Sequence, residues 1–173
     1  MSNPLTIGTV AAATVGCVEA ETAVLGALMR LPLREAGELA DRLEPEDFTD
    51  PRCRAVLAAL VSLLAEGVPP DPVTMLGELR RAGAERSMTC DRSAGTYLHD
   101  LDAAAPATVN ARHYAGIVIE HRARRRLSEA AVRFGQVAET ASLAMVREVV
   151  LDEWQDLVRL LDRVPSKAGR VVS

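Results

Sequence analysis

The chain has 173 residues, 49% hydrophobic but only 3% aromatic, and 20 basic against 24 acidic side chains give a formal charge of −4. That length fits one domain with an extension, and a core of Leu, Val and Ala suits helix-on-helix packing better than a sheet. The mild acidity excludes an overall attraction for nucleic acid or anionic lipid, and no stretch is long and apolar enough to span a membrane.

Three widely spaced cysteines, Cys17, Cys53 and Cys90, are odd in number and form no Cys-x-x-Cys pair. They argue against a disulfide framework or a zinc site and for a reducing, cytoplasmic compartment. Val10 to Cys17 superficially resembles a lipoprotein signal, but no basic residue precedes Arg30 and Thr9 and Thr14 break the apolar run. Residues 1–17 are therefore expected to form a flexible leader.

Punctuation then divides the chain. Val18, Thr22, Leu25 and Met29 share one helical stripe closed by Pro32; Leu33, Ala36, Leu39, Ala40 and Leu43 form a second before Pro45. Asp50 followed by Pro51 is a helix start, because the carboxylate caps free N–H groups where proline lacks one. Val56, Leu57, Leu60, Leu63 and Leu64 supply that helix's buried face, and Gly67 gives its left-handed stop. The device recurs: Asp71 caps, Pro72 opens, Val73, Leu76 and Leu79 pack, and Gly83 terminates. Residues 84–92 read as a polar loop, and a short helix carries Tyr97, Leu98 and Leu101 before Pro106.

After Pro106 the texture changes. From Val109 to about Ala141 there is no proline, which predicts one long helix with Leu127, Ala130, Phe134, Val137 and Ala141 on a stripe. A break near Ser142 precedes a last helix bearing Leu143, Val146, Val150, Trp154, Leu157 and Leu161. The expected architecture is all-α, a compact bundle of short helices followed by a long helical hairpin. Its parts are a leader (1–17), a globular helical head (18–106), the hairpin (107–164) and a tail (165–173). Two helices cannot bury both of their apolar faces against each other, so the hairpin needs the head or another chain.

The search for chemistry returns no catalytic, cofactor-binding or metal-ligating set. Lys167 is the sole lysine and stands in no P-loop; Gly-x-Gly-x-x-Gly, Gly-x-Ser-x-Gly and His-Glu-x-x-His are absent. His113 and His121 stand roughly two helical turns apart, too far for one metal ion, so His99, His113 and His121 read as surface or interface residues. The arginines at 122, 124, 125 and 126 lack interleaved aromatics and read first as a solvated or ion-paired face, then as a protein contact, and last as a nucleic-acid contact. Glu19 and Glu21 diverge on a helix and read as first-turn carboxylates favouring its dipole. Phe48 reads as a core plug, and Trp154 equally as core or as interface anchor.

In order, Glu19-Ala20-Glu21 with Val24 to Leu28, Pro45 to Phe48, Pro51 to Arg54, Gly67 to Gly83, Gly95 to Leu98 with Leu101, and Pro106 to Leu127 make the chain resemble a known family. It is the N-terminal domain of DnaB-type bacterial replicative helicases, and the likeness covers about Val18 to Val164. The resemblance implies a helical head plus a hairpin, with hairpins that pair. It implies a collar built as a trimer of dimers on a hexameric helicase, where primase docks and some loaders act. Ser93-Ala94-Gly95 departs from the family's glycine pair, and the family's ATPase motor has no counterpart motif here.

The leading expectation is therefore a non-enzymatic oligomerisation and docking module in DNA replication. Its partners would be itself, a replicative helicase, and primase or a loader, with DNA contact absent or indirect. The expected hairpin interface comprises Tyr114, Ile117, His121, Leu127, Phe134, Leu143, Val146, Val150, Trp154, Leu157 and Leu161. Two alternatives stand beside it: a free-standing modulator of a full-length helicase, and a small cofactor-free all-α enzyme of chorismate-mutase type using the arginine run.

Overall fold

The computed structural model describes residues 7–88, 93–105 and 107–165, with side chains from Val18 onward apart from Ser87. Every regular element among the described residues is helical: α1 (Ile7–Arg30), α2 (Leu33–Ala40), α3 (Pro51–Ala65), α4 (Pro72–Arg81), α5 (Ala94–Ala103), α6 (Ala111–Thr140) and α7 (Leu143–Arg163), joined partly by short 3₁₀ turns. The all-α expectation holds. Contacts divide the chain into two compact units meeting between Val118 and Ile119, whereas the sequence suggested a boundary at 106. The small and β-branched side chains of Ala111, Ala115 and Val118 are buried within the first unit, which therefore keeps the opening turns of α6.

The starts and stops obey local chemistry. Asp50 accepts the Arg52 N–H at 2.8 Å and Asp71 accepts those of Val73 and Thr74 at 2.7 and 2.9 Å, each with proline at the first helical position. Ser93 caps α5 through the Thr96 N–H, and Ser142 caps α7 through that of Met145. Gly67 and Gly83 follow α3 and α4 with φ of 71° and 68°, the left-handed conformation that lets a helix close on its own carbonyls.

Helix α3 contacts α1, α2 and α4 at the centre of the first unit, while α5 contacts α1 and α4. Phe48, Leu25, Leu28, Leu57, Leu60, Met75, Leu79 and Leu98 are fully buried there, so Phe48 is the expected plug. Arg54 donates to the Phe48 carbonyl at 2.9 Å and holds the turn that carries it. Gly26 permits the close approach of α1 and α5: a Cβ there would stand 2.5 Å from the Leu101 carbonyl oxygen. Beyond that crossing, Arg30 grips Asp102 through two hydrogen bonds of 2.8 and 3.2 Å, and the guanidinium holds the Asp102 carboxyl below its usual range.

Several expectations require correction. Helical backbone begins at Ile7, so residues 7–17 of the expected leader belong to α1; residues 1–6 lie outside the described set, as do Cys90, Pro106 and most of the tail. The Val18–Met29 stripe is only part of the buried face of α1: Val18 is exposed, whereas Ala20, Glu21, Val24 and Ala27 are buried, because α3 and α5 cover the helix from two sides. Leu33 and Val73 point outward in the first turns of α2 and α4, and Met75 packs in place of Val73. The 84–92 loop is not wholly polar, since a 3₁₀ turn (Glu85–Met88) buries Met88.

Glu21 carries the largest correction. It lies well inside α1, is fully buried, and accepts the backbone N–H groups of Thr49 at 2.7 Å and Asp50 at 3.2 Å. It thus seats the start of α3 against α1 and serves no helix dipole. Glu21→Ala would leave those donors unsatisfied, and a loss of about 2–3 kcal/mol is expected as a lower urea midpoint, with Glu21→Gln losing about half as much. An unchanged midpoint in Glu21→Ala would remove this role.

Candidate functional site

The second unit is the hairpin, formed by α6 from Ile119 and by α7. Its covered residues are Ile119, Ala123 and Ala130 on α6, and Glu153, Leu157 and Leu160 on α7. Glu153 is a carboxylate with only 4% of its side chain exposed, and it is met by two arginines of α6. Arg133 hydrogen-bonds Oε1, while Arg126, itself 14% exposed, faces Oε2 as an ion pair without hydrogen-bond geometry. Asp156 lies 3.9 Å from Arg126 and 2.5 Å from Arg159. Glu153 of α7 thus faces two arginines seven residues apart on α6.

Beside that seam runs an uncovered apolar arc. Leu143 is 87% exposed, Trp154 60% and Leu161 53%, with Val150 and Val158 at 37% and 39%. Val150, Trp154, Val158 and Leu161 recur at helical spacing and form one stripe a step around α7 from Leu157. A shallow depression lined by Trp154, Gln155, Val158 and Arg159 sits on it. On α6, Leu127 and Val132 are exposed.

The expected interface residues therefore separate. Leu127, Leu143, Val150, Trp154 and Leu161 are exposed, and His121, Phe134 and Val146 are half-buried. Tyr114 and Ile117 are half-buried and belong to the first unit. Leu157 is a correction: at 3% exposure it is closed inside the chain and belongs to the seam. Val158, Leu151 and Met145 are exposed apolar residues missed from the sequence. The spacing of four between Trp154 and Val158 was the available signal, obscured by Leu157 beside it.

The arginine run is ion-paired. Arg124 binds Glu120 at 2.7 Å, Arg122 lies 3.9 Å from Glu129, and Arg126 is held by Glu153, so these side chains do not line either cleft described here.

The first unit offers a cleft of about 360 Å³ lined by Thr22, Arg52, Met88, Tyr97, Asp100, Leu101 and Ala104. Arg52 lies 4.8 Å over the Tyr97 ring, and the Tyr97 hydroxyl meets Cys53 Sγ at 3.4 Å. Burial pushes the Cys53 thiol up to about 12 and raises the Tyr97 phenol as well. A thiol so disfavoured as thiolate is a packing group. No group of three or more metal-ligating side chains occurs among the described residues.

The family model described as the DnaB-like helicase N terminal domain matches residues 16–120. The chain belongs to that family. Replicative DNA helicase DnaB of Mycobacterium leprae is 37% identical over 131 residues, 73% of this chain and 21% of the relative. The DnaB of Geobacillus stearothermophilus is 34% identical over 138 residues, 79% of this chain and 28% of the relative. This DnaB-like domain thus spans roughly a quarter of the curated relatives it matches. The crystal structure of the N-terminal domain of DnaB helicase from Mycobacterium tuberculosis superposes with a TM-score of 0.71 at 35% identity, covering 81% of this chain and 96% of that one. The resemblance read from the ordered motifs is confirmed. Among the described residues no helix of this DnaB-like domain is long and apolar enough to cross a membrane.

Proposed function

We propose that this DnaB-like domain is an assembly module of a replicative helicase, and that it pairs with a second copy through the uncovered arc on α7. One observation carries the reading: Leu143, Val150, Trp154, Val158 and Leu161 share one face of α7, interrupted only by Arg147, that the chain's own seam leaves open. An exposed strip of this kind on a small soluble domain supports a protein contact, with Trp154 its natural anchor. The seam network around Glu153 supports it further, because a hairpin held in one register presents the strip as a fixed surface. Further partners follow from the same reading. The assembled domain would sit on a hexameric helicase motor and offer primase or a loader its docking face.

Light scattering of the free chain at micromolar concentration is expected to show a dimer or larger species. Trp154→Ser should weaken association roughly thirtyfold or more while leaving circular dichroism unchanged, since the indole is largely outside the core. A chain that stays monomeric at every concentration sinks the pairing reading. Mixing the domain with helicase and primase tests the wider one, where unaltered hexamer formation, unwinding and priming would count against it.

A further inference from the structure

We infer that the second copy lies antiparallel on α7, about a two-fold axis passing beside Trp154, with Arg147 of each copy against Asp162 of the other. The inference rests on the pairing reading above and adds its orientation and register. A two-fold interface is self-complementary, so whatever stands a given distance before the axis must suit what stands the same distance after it.

The α7 surface meets that condition. Val150 and Val158 are symmetric about Trp154, so an antiparallel partner sets valine against valine on both sides of the indoles. Arg147 and Asp162 are both exposed, and their midpoint falls between Trp154 and Gln155. They stand roughly 22 Å apart along the helix, Arg147 within the arc and Asp162 on its rim. Neither makes an ion pair among the described residues of its own chain. Their charges are opposite, so reversing the partner brings each onto its complement at both ends of the contact.

The other charges of α7 do not compete. Glu153 is covered by Arg126 and Arg133, and Arg159 is engaged by Asp156 at 2.5 Å. Glu148 and Asp152 are turned away from the arc by helical phase. A parallel partner would instead place Arg147 beside Arg147 and Asp162 beside Asp162, and like charges facing across an interface oppose it.

Charge reversal with rescue decides the matter, read by sedimentation equilibrium of the full chain. Arg147→Asp and Asp162→Arg should each weaken association about tenfold, because each creates two like-charge contacts, and the combined variant should return close to the wild-type value. The wild-type dimer should also weaken with added salt, and less so in either single variant. A wild-type monomer overturns the pairing reading itself. A wild-type dimer that is indifferent to both single reversals, or is weakened by them without rescue in the double, overturns the antiparallel register alone. Arg147→Ala, which removes the charge without reversing it, should weaken an antiparallel pair, and tighter association of that variant would mean a parallel partner.

Discussion

Gly26→Ala is expected to destabilise the first unit by about 3 kcal/mol, seen as a fall in Tm of roughly 10 °C. An added Cβ would stand 2.5 Å from the Leu101 carbonyl oxygen, 3.1 Å from Ala105 Cβ and 3.3 Å from its Cα. Two of those three atoms are backbone, and the third is fixed rigidly to it. No side chain can rotate aside, so α1 and α5 must separate. Separation would loosen Leu25, Leu28, Leu98 and Leu101, which are all buried, and would lengthen the Arg30–Asp102 contact at the same crossing. Alanine's better helix propensity offsets less than about 1 kcal/mol of this. Gly37→Ala is the matched control: nothing lies within 4 Å of a Cβ at that position, and its Tm should hold or rise. Equal Tm values for the two variants would show that α1 and α5 do not rely on the missing Cβ.

Removing the Glu153 carboxylate is expected to be the most damaging single change in the hairpin. Glu153→Ala would leave Arg126, 14% exposed, with only the more distant Asp156, and would open a gap beside Leu157. A loss of about 2–4 kcal/mol follows from a mostly covered guanidinium without its partner plus the missing side-chain volume. Arg133 is 57% exposed and can return to water, so Arg133→Ala should cost about 1 kcal/mol or less. The informative variant replaces both charges. Arg126→Met with Glu153→Leu should recover most of the stability in urea titration while allowing the hairpin to slip, which amide hydrogen exchange along α7 would detect as lowered protection. If Glu153→Ala unfolds at the wild-type midpoint, the buried ion pair does not hold the hairpin.

These two sites also mark where sequence reading ran out. The ends of the helices were legible because they are set within a few residues. A carboxylate two or three positions before a free N–H, a proline whose missing donor is not needed, and a glycine at positive φ act locally at Asp50–Pro51, Asp71–Pro72, Gly67 and Gly83. The ordered motifs carried the family for a related reason, since each spells a capped turn or a buried stripe whose order the fold preserves. The exposed strip was legible in part. Periodicity marks Leu143, Val150, Trp154 and Leu161, but the exposed arc lies one helical step further round than the apolar pattern indicates, with Leu157 inside and Val158 outside. A charged residue occupies a seam position at 153 while tryptophan follows at 154, so the apolar pattern points to the wrong side.

By itself, then, the sequence determined that the chain is helical, where its capped helices begin and where α3 and α4 stop, though not the start of α1, and that its final helices carry more apolar surface than one hairpin can cover. Caps, turn glycines and side-chain periodicity act over a few residues and need no distant partner. The tertiary structure alone decided that Glu21 is buried beneath the start of α3, that Gly26 lies against a backbone carbonyl of α5, and that Glu153 belongs to the seam. Each depends on a group far away in the chain, and the burial of a charge or the absence of a Cβ has no meaning until that group has arrived.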